Sequence, residues 1–437
     1  MKKIIAFTIL LLFYLPILEA QEAYLKKGLK MSEASGGYPL PTLQIRNGLP
    51  NVLKKLKNNH PVTIAYLGGS ITNHNGYRVY NSEWFQKEYP DCKITTINAG
   101  IGGTGSDLGV FRLKDDVLVY DPDLIFVEFA VNDGNGDSIK ISNSIEGIVR
   151  QIQRYNPQTD ICFLYTINSP MLKDMEQGKL FKSMRLMEHI AEYYQIPSIN
   201  FGVEVVKLMK DDKLIFKGDK GKTYGNKIIF TDDNTHPTFN QGHYLYSEIM
   251  SKSINEIRHT KIRSKKVPEK PLYKDNFEYA MMISPDQCTT NGKWEKITPE
   301  HPLYNINKKR CPNLIYTSDP DASISFRFSG RVFGIYDIVG PNSCGFTARI
   351  DDKEEVDIRR FDVYCHYYRN NYTLLPAIKE GPHTISIKIK PASFDKESIV
   401  QKRYQDKITD KVLNEFKQDV LYVGKIMIIG TPETSNQ

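Results

Sequence analysis

The sequence has 437 residues, 40% of them hydrophobic, with a formal charge of +7. That length is more than one typical domain and that apolar content is enough for real cores, so two or three folded units are expected. The basic excess gathers between Lys261 and Lys274, where six basic residues stand against one acidic residue around Pro268 and Pro271; this reads as a solvated linker, and nothing in it argues for a nucleic-acid partner.

The first twenty residues carry Lys2 and Lys3, an apolar run from Ile4 to Ile17 broken by Pro16, and Leu18-Glu19-Ala20 as a cleavage site. This pattern predicts a signal peptide over 1–20, too short in its apolar run to span a bilayer, and hence export to the periplasm or the outside of the cell. No later stretch is long and apolar enough for a membrane span. Six cysteines in an exported chain permit disulfides. Cys92 and Cys162 lie in strand-like stretches and read as buried thiols; Cys288, Cys311, Cys344 and Cys365 all fall in the last third, where one or two bridges are expected. No CxxC pair or His/Cys cluster suggests a metal.

In chain order, Val62 to Tyr66 reads as a buried strand that passes through Leu67 into Gly68-Gly69-Ser70, placing Ser70 on a tight turn at a strand end. Asn81 to Tyr89 is predicted helical and Lys93 to Asn98 a strand. Four glycines then crowd into residues 100–105, a loop that brings backbone close to something, before a helix over Ser106 to Val117. Leu124 to Val131 is a strongly apolar strand with Asn132-Asp133-Gly134 at its tip. A helix over Ser142 to Tyr155, a strand over Ile161 to Ile167, a long helix over Met175 to Tyr194, a short strand at Ser198 to Phe201 and a helix over Val203 to Met209 follow. Strands alternating with helices predict a parallel sheet covered on both faces. The polar segment Thr231 to Pro237 precedes a closing helix over Gln241 to Ile257. Beyond the linker, short alternating segments at Ala322 to Phe328, Val332 to Ile338, Phe346 to Ile350 and Thr384 to Ile389 predict a β-sandwich, with a charged, partly helical insertion over Ser393 to Gln418 before a last strand at Val420 to Ile429.

Several polar points thus fall at sheet-strand ends or in the last loop. Ser70 is the candidate nucleophile, the glycine loop and Asn132 candidate oxyanion donors, and Asp233 with His236 a carboxylate and a base three residues apart. A serine hydroxyl needs a base to take its proton, and the resulting imidazolium needs a carboxylate to hold it. Asp232 competes with Asp233 for that place. His74 and Arg78, just past Ser70, are candidate substrate contacts. Glu128, unusual inside an apolar strand, is either a partner for Arg112 or another cation beneath the site, or a sheet-edge or structural carboxylate. The run Tyr364 to Arg369, with Tyr372, offers aromatic faces for sugar rings or for packing.

With these residues in place the chain resembles the SGNH hydrolases, also called GDSL esterases, from Val62 to about Arg258. Gly68-Gly69-Ser70-Ile71 is similar to the nucleophile block, Asn98 to Ser106 to the second, Ala130-Val131-Asn132-Asp133 to the third and Asp233-Asn234-Thr235-His236 to the last. Gly69, Ile71 and Ala130 depart from the family's usual acid, leucine and glycine. The resemblance implies Ser70, His236 and Asp233 as nucleophile, base and orienter. It also implies an oxyanion hole from the Ser70 N–H, the Asn132 amide and the Gly103 N–H, Gly102 being the rival for the last, with no metal or organic cofactor. The implied fold is a three-layer α/β/α, flavodoxin-like parallel sheet over 21–260, a linker over 261–274 and a jelly-roll-like β-sandwich over 275–437. Export and the appended sandwich resemble carbohydrate esterases that remove acetyl groups from polysaccharides. A lipase or thioesterase, a sugar methyl-esterase, and a glycan-binding protein with a silent esterase domain are the alternatives.

Overall fold

The computed structural model describes residues 40–433 except Lys220, Glu354 and Gln401. The expected leader over 1–20 lies outside them. The chain divides into two compact units, Met1–Glu278 and Tyr279–Gln437.

The first unit is built on a six-stranded sheet. Its opening elements are β1 (Leu43–Gln44), α1 (Pro50–Lys57), β2 (Val62–Gly68), α2 (Ser70–Asn73), α3 (Tyr77–Glu88), β3 (Ile94–Gly100), α4 (Ser106–Asp116), β4 (Leu124–Glu128), α5 (Ala130–Asp133) and α6 (Ser138–Tyr155). They are followed by β5 (Asp160–Tyr165), α7 (Leu172–Glu176), α8 (Lys182–Tyr194), β6 (Ser198–Asn200), α9 (Phe201–Lys210), β7 (Leu214–Lys217), β8 (Ile228–Thr231) and α10 (Tyr244–His259). The sheet order is β1-β6-β5-β4-β2-β3, parallel throughout except for the short β1 at its edge. Every residue of β4 and β5 is buried, which requires helices on both faces and explains why these strands are continuous apolar runs rather than alternating ones. Helix α6 shows how a covering helix is specified. Asp137 caps its first turn by accepting from the Lys140 N–H at 2.7 Å, and Ile141, Ile145, Ile148, Val149 and Ile152 recur at helical spacing and are buried.

The register sets the position of the site. Gly68 at the end of β2 lies beside Gly100 on one neighbour and Glu128 on the other, so three chain segments leave the sheet side by side at its carboxyl edge.

Three local expectations are corrected. The strand predicted over Leu124 to Val131 stops at Glu128, and Asn132 sits on the helical turn α5. The long helix predicted from Met175 is broken into α7 and α8 around Gly178, whose φ of +71° no helix accommodates. The basic stretch is not simply solvated: Lys265 exchanges two backbone–side-chain bonds with Asn47, each 2.8 Å. Further on, the buried Glu146 carboxylate accepts the Leu272 and Tyr273 N–H groups at 2.5 and 2.7 Å. Charge pattern alone could not reveal these anchors, because they depend on partners more than 100 positions away.

The second unit is antiparallel. An eight-stranded sheet is centred on the 17-residue strand Ser323–Val339, and a three-stranded sheet contains Ile315–Thr317 and Leu421–Val423. The long strand pairs along one edge with Gly381–Lys390 through its first half and with Arg369–Leu374 through its second, and its register with Lys425–Glu433 slips between Gly330 and Val332. Alternating residues Ile324, Phe326, Phe328, Phe333 and Ile335 enter one core with Ile385, Ile387, Ile426 and Ile428. Short helices Lys396–Ile399 and Asp410–Phe416 occupy the charged insertion. The aromatic run is divided between packing and surface: Cys365 is buried, the His366 ring stacks on Tyr404 at 4.6 Å, and Tyr367 is exposed. The expected bridges do not form. All six cysteines are free thiols, and Cys344 is buried in the sandwich core where it serves as a small apolar side chain.

Candidate active site

The site is assembled at the carboxyl edge from β2, β3, β4 and the loop after β8. Ser70 is the first residue of α2, entered through Gly69. The loop after β8 is a tight turn organised by one carboxylate. Asp233 Oδ1 accepts the Thr235 and His236 N–H groups at 2.8 and 2.7 Å and the Thr231 hydroxyl at 3.1 Å. Asn234 takes a left-handed φ of +71°, and its carbonyl accepts the Ser169 N–H at 2.9 Å, tying the turn to the segment after β5. With Oδ1 occupied in this way, Oδ2 of Asp233 is left for His236 Nδ1, 2.6 Å away, and His236 Nε2 lies 2.8 Å from Ser70 Oγ. The structure therefore brings Ser70, His236 and Asp233 into one hydrogen-bonded line, while Asp232 is exposed and makes none of these contacts. Partial burial works against the Asp233 charge, but the His236 ring and the two N–H donors outweigh it and hold the carboxyl well below the usual carboxylate range.

Asn132, on α5, packs against Gly69. A Cβ placed on Gly69 would stand 1.8 Å from Asn132 Oδ1 and 3.0 Å from Nδ2. Asn132 thus leaves no room for a side chain at position 69. This explains the departure from an acidic residue at that position. Asn132 Oδ1 is buried with no donor, and the amide nitrogen is the end further from Gly69. On the β3 side, Ile101 N–H binds the Gly68 carbonyl at 3.1 Å and starts the glycine loop. Gly102 is the glycine nearer the serine, a Cβ there being 3.8 Å from Ser70 Cβ, whereas Gly103, at φ +71°, has open space around it. Both are exposed.

Glu128 does not meet Arg112 and is a structural carboxylate, the other of the two expectations. Glu128 is buried below the site and accepts the hydroxyls of Thr72 and Thr166 at 2.9 and 2.5 Å; burial raises its pKa against those bonds. Arg112 instead donates to the carbonyls of Ala99 and Gly68 at 2.6 and 3.1 Å and pairs with Asp116 at 2.9 Å, fastening β3 and β2 to α4. Arg78 is likewise engaged locally, its Nε on the Thr72 carbonyl at 3.0 Å and its Nη2 on Asn75 Oδ1 at 2.7 Å, bracing the turn between Ser70 and α3. His74 is exposed, with its ring 4.9 Å from that of His236. Desolvation, then the neighbouring His236, lowers its pKa.

The sequence reading passed over His243. It is 1% exposed, accepts the Tyr77 N–H on Nδ1 at 3.2 Å and stacks on the Tyr77 ring, and burial followed by the charges of His74 and His236 pushes its pKa down to about 3. Its Nε2 is buried without a partner. A histidine seven residues after the candidate base is a faint signal, and only the packing shows that it faces inward.

Asp133 gives a pH prediction. Its Oδ1 accepts the Ser106 N–H at 2.8 Å, Oδ2 is buried and unpartnered, and burial lifts the carboxyl to about 7. Its unfolded value is near 3.9, so the native state favours the protonated acid. The stability this contributes is complete below about pH 4 and is lost as pH rises through about 7. The stability of the wild type against thermal unfolding is therefore expected to fall by roughly 2 kcal/mol between pH 5 and 8 relative to Asp133→Asn. Parallel pH profiles for the two proteins would show that Asp133 is ionised in the native state throughout.

These strands and turns form an acylhydrolase scaffold. Residues 66–239 match the model of the GDSL-like Lipase/Acylhydrolase family, and the first unit is accordingly an SGNH-type esterase domain. Among solved structures, the chain is similar to a two-domain esterase (CEX) active on acetylated mannans. The crystal co-crystallised with mannopentaose shares 17% identity over 89% of this chain and 95% of that one, with a TM-score of 0.66. A second crystal of the two-domain esterase shares 18% over 88% and 95%, also at 0.66. A lipase/acylhydrolase from Enterococcus faecalis shares 16% identity over 45% of this chain and 95% of its own, with a TM-score of 0.32. No curated protein sequence matches. The fold expectation, a parallel α/β sheet followed by an all-β unit, is borne out by the first two comparisons.

Proposed function

We propose that the protein is an exported serine esterase that removes O-acyl groups, above all O-acetyl groups, from polysaccharides. The observation that carries this reading is the unbroken line from Asp233 Oδ2 through His236 to Ser70 Oγ, with spacings of 2.6 and 2.8 Å. Asp233 holds the proton on Nδ1, so the Nε2 lone pair faces the hydroxyl. Nε2 takes the hydroxyl proton as Oγ attacks the ester carbonyl carbon. The tetrahedral oxyanion is received by the Ser70 N–H, the Asn132 amide and an N–H of the glycine loop, Gly103 or Gly102. The imidazolium then protonates the departing sugar oxygen, and water, activated by the same base, releases the acid and restores Ser70. This chemistry needs neither metal nor organic cofactor.

The polysaccharide assignment is supported by the two-domain architecture shared with an esterase active on acetylated mannans. Polar residues beside Ser70, namely Asn73, His74 and Asn75, suit a hydroxylated substrate better than a long acyl chain. His74 and Arg78 are proposed to line the substrate side of the cleft. Export is part of the proposal and is supported by the leader pattern read over 1–20; no helix among the described residues is long and apolar enough to cross a membrane.

The test is acetate release from acetylated xylan, pectin, mannan and xyloglucan, measured for the wild type and Ser70→Ala. Release that disappears in the variant is expected, and the productive polymer names the substrate class. Activity confined to methyl esters or acyl thioesters would replace the acetyl assignment. Binding of glycan with no hydrolysis of any ester would replace the esterase reading with a binding one.

A further inference from the structure

Aromatic side chains are exposed beside the serine site, and their arrangement follows from one irregular turn. Residues Phe239–His243 form a single π-helical turn before α10, closed by the His243 N–H on the Thr238 carbonyl at 2.9 Å and capped by the Thr238 hydroxyl, which accepts the Gly242 N–H at 3.0 Å. Such turns insert an extra residue into a helix and change which side chains face out. Here the turn sends His243 inward, 1% exposed, and leaves Phe239 outside, 53% exposed. His243 accepts from the N-terminus of α3 through the Tyr77 N–H, which docks that helix against the turn. Tyr80, one turn along α3, consequently lies 5.4 Å from the Phe239 ring and 5.6 Å from the Tyr244 ring, the latter 48% exposed.

We propose that Tyr80, Phe239 and Tyr244 form a stacking subsite for a pyranose unit of the ester-bearing glycan chain; this rests on the polysaccharide esterase reading. Three observations select this occupant. Phe239 follows His236 by three residues, so its Cα lies within about 11 Å of that of the candidate base, less than the length of a short oligosaccharide. Phe239 and Tyr244 are exposed on either side of the half-buried Tyr80 ring, which costs hydration free energy unless something apolar covers them. The surface beyond Tyr244 is a groove of about 920 Å³ of mixed lining, with Leu43, Ile228 and Ile249 beside Asn226, Asn240 and Glu248. A long acyl chain or an apolar protein face would match only the apolar part of that lining. A sugar presents C–H faces to the rings and hydroxyl edges to the groove at once.

The experiment compares KM and kcat on acetylated oligosaccharides from the productive polymer with those on 4-nitrophenyl acetate, for the wild type, Phe239→Ala, Tyr244→Ala and the double variant. Each single change is expected to raise the oligosaccharide KM roughly 3- to 10-fold, as loss of one aromatic contact would. The ratio of oligosaccharide to small-ester kcat/KM is expected to fall further in the double variant, and Phe239→Trp is expected to restore it. An unchanged ratio in active variants, or an equal loss on both substrates that Phe239→Trp does not repair, would overturn the subsite while leaving the esterase reading intact. A wild type that cleaves 4-nitrophenyl acetate but no acetylated glycan would overturn the polysaccharide reading and the subsite with it.

Discussion

Replacing Ser70 by alanine is expected to lower kcat on any ester the protein cleaves by roughly 10⁴- to 10⁶-fold, leaving only what the oxyanion donors and substrate positioning supply. The reason is the geometry around His236. Its Nε2 has Ser70 Oγ as hydrogen-bond partner at 2.8 Å, and its other nitrogen is committed to Asp233. Without the hydroxyl there is no nucleophile for the base to activate. Asp233→Asn is expected to cost roughly 10⁴-fold, because an amide nitrogen facing Nδ1 favours the tautomer that puts the proton on Nε2, where it blocks deprotonation of the serine. The two changes should not add, since both act on one proton transfer. Steady-state kinetics on 4-nitrophenyl acetate decides the matter: a Ser70→Ala enzyme that keeps more than about a hundredth of wild-type kcat would place the nucleophile elsewhere.

The second large effect is expected at Gly69, a residue with no functional group. A Cβ there would lie 1.8 Å from Asn132 Oδ1, far inside contact distance, and Asn132 is the only flexible member of that pair. Gly69→Ala should therefore swing the Asn132 amide off the oxyanion position and reduce kcat roughly 100- to 1,000-fold, the usual cost of one lost donor. Asn132→Ala should cost about as much. The decisive comparison is the double variant. If both changes remove the same donor, Gly69→Ala adds little once Asn132 is gone. Independent, additive losses would mean that Gly69 acts through the Ser70 turn itself and that Asn132 contributes by another route.

The sequence by itself determined the architecture and the order of the candidate residues. Apolar strands such as Leu124 to Glu128 are legible because burial on both faces needs continuous apolar side chains. Alternation in Ala322 to Phe328 is legible because one face of that strand meets a core. Glycines and polar residues after Leu67, Asn98 and Phe129 mark strand ends because a chain leaving a sheet must turn there, and the Asp233-to-His236 spacing is local enough to be read directly.

What only the tertiary structure decided is the identity of partners across long separations. Glu128 could have faced Arg112, but the register puts Thr72 and Thr166 against its oxygens and turns Arg112 to the carbonyls of Gly68 and Ala99. The cysteines of the last third could have paired, but Cys344 is enclosed in the sandwich core and every thiol remains free. Asn132 was expected at a strand tip and stands on a helical turn, where it takes up the space that Gly69 leaves. Tyr80 and Tyr244 lie 164 positions apart and meet only because His243, turned inward by one π-helical turn, accepts from the first residue of α3. Local sequence encodes backbone preference and the degree of burial. Which buried atom faces which is settled by packing, where side chains from distant segments compete for the same space and the same hydrogen bonds.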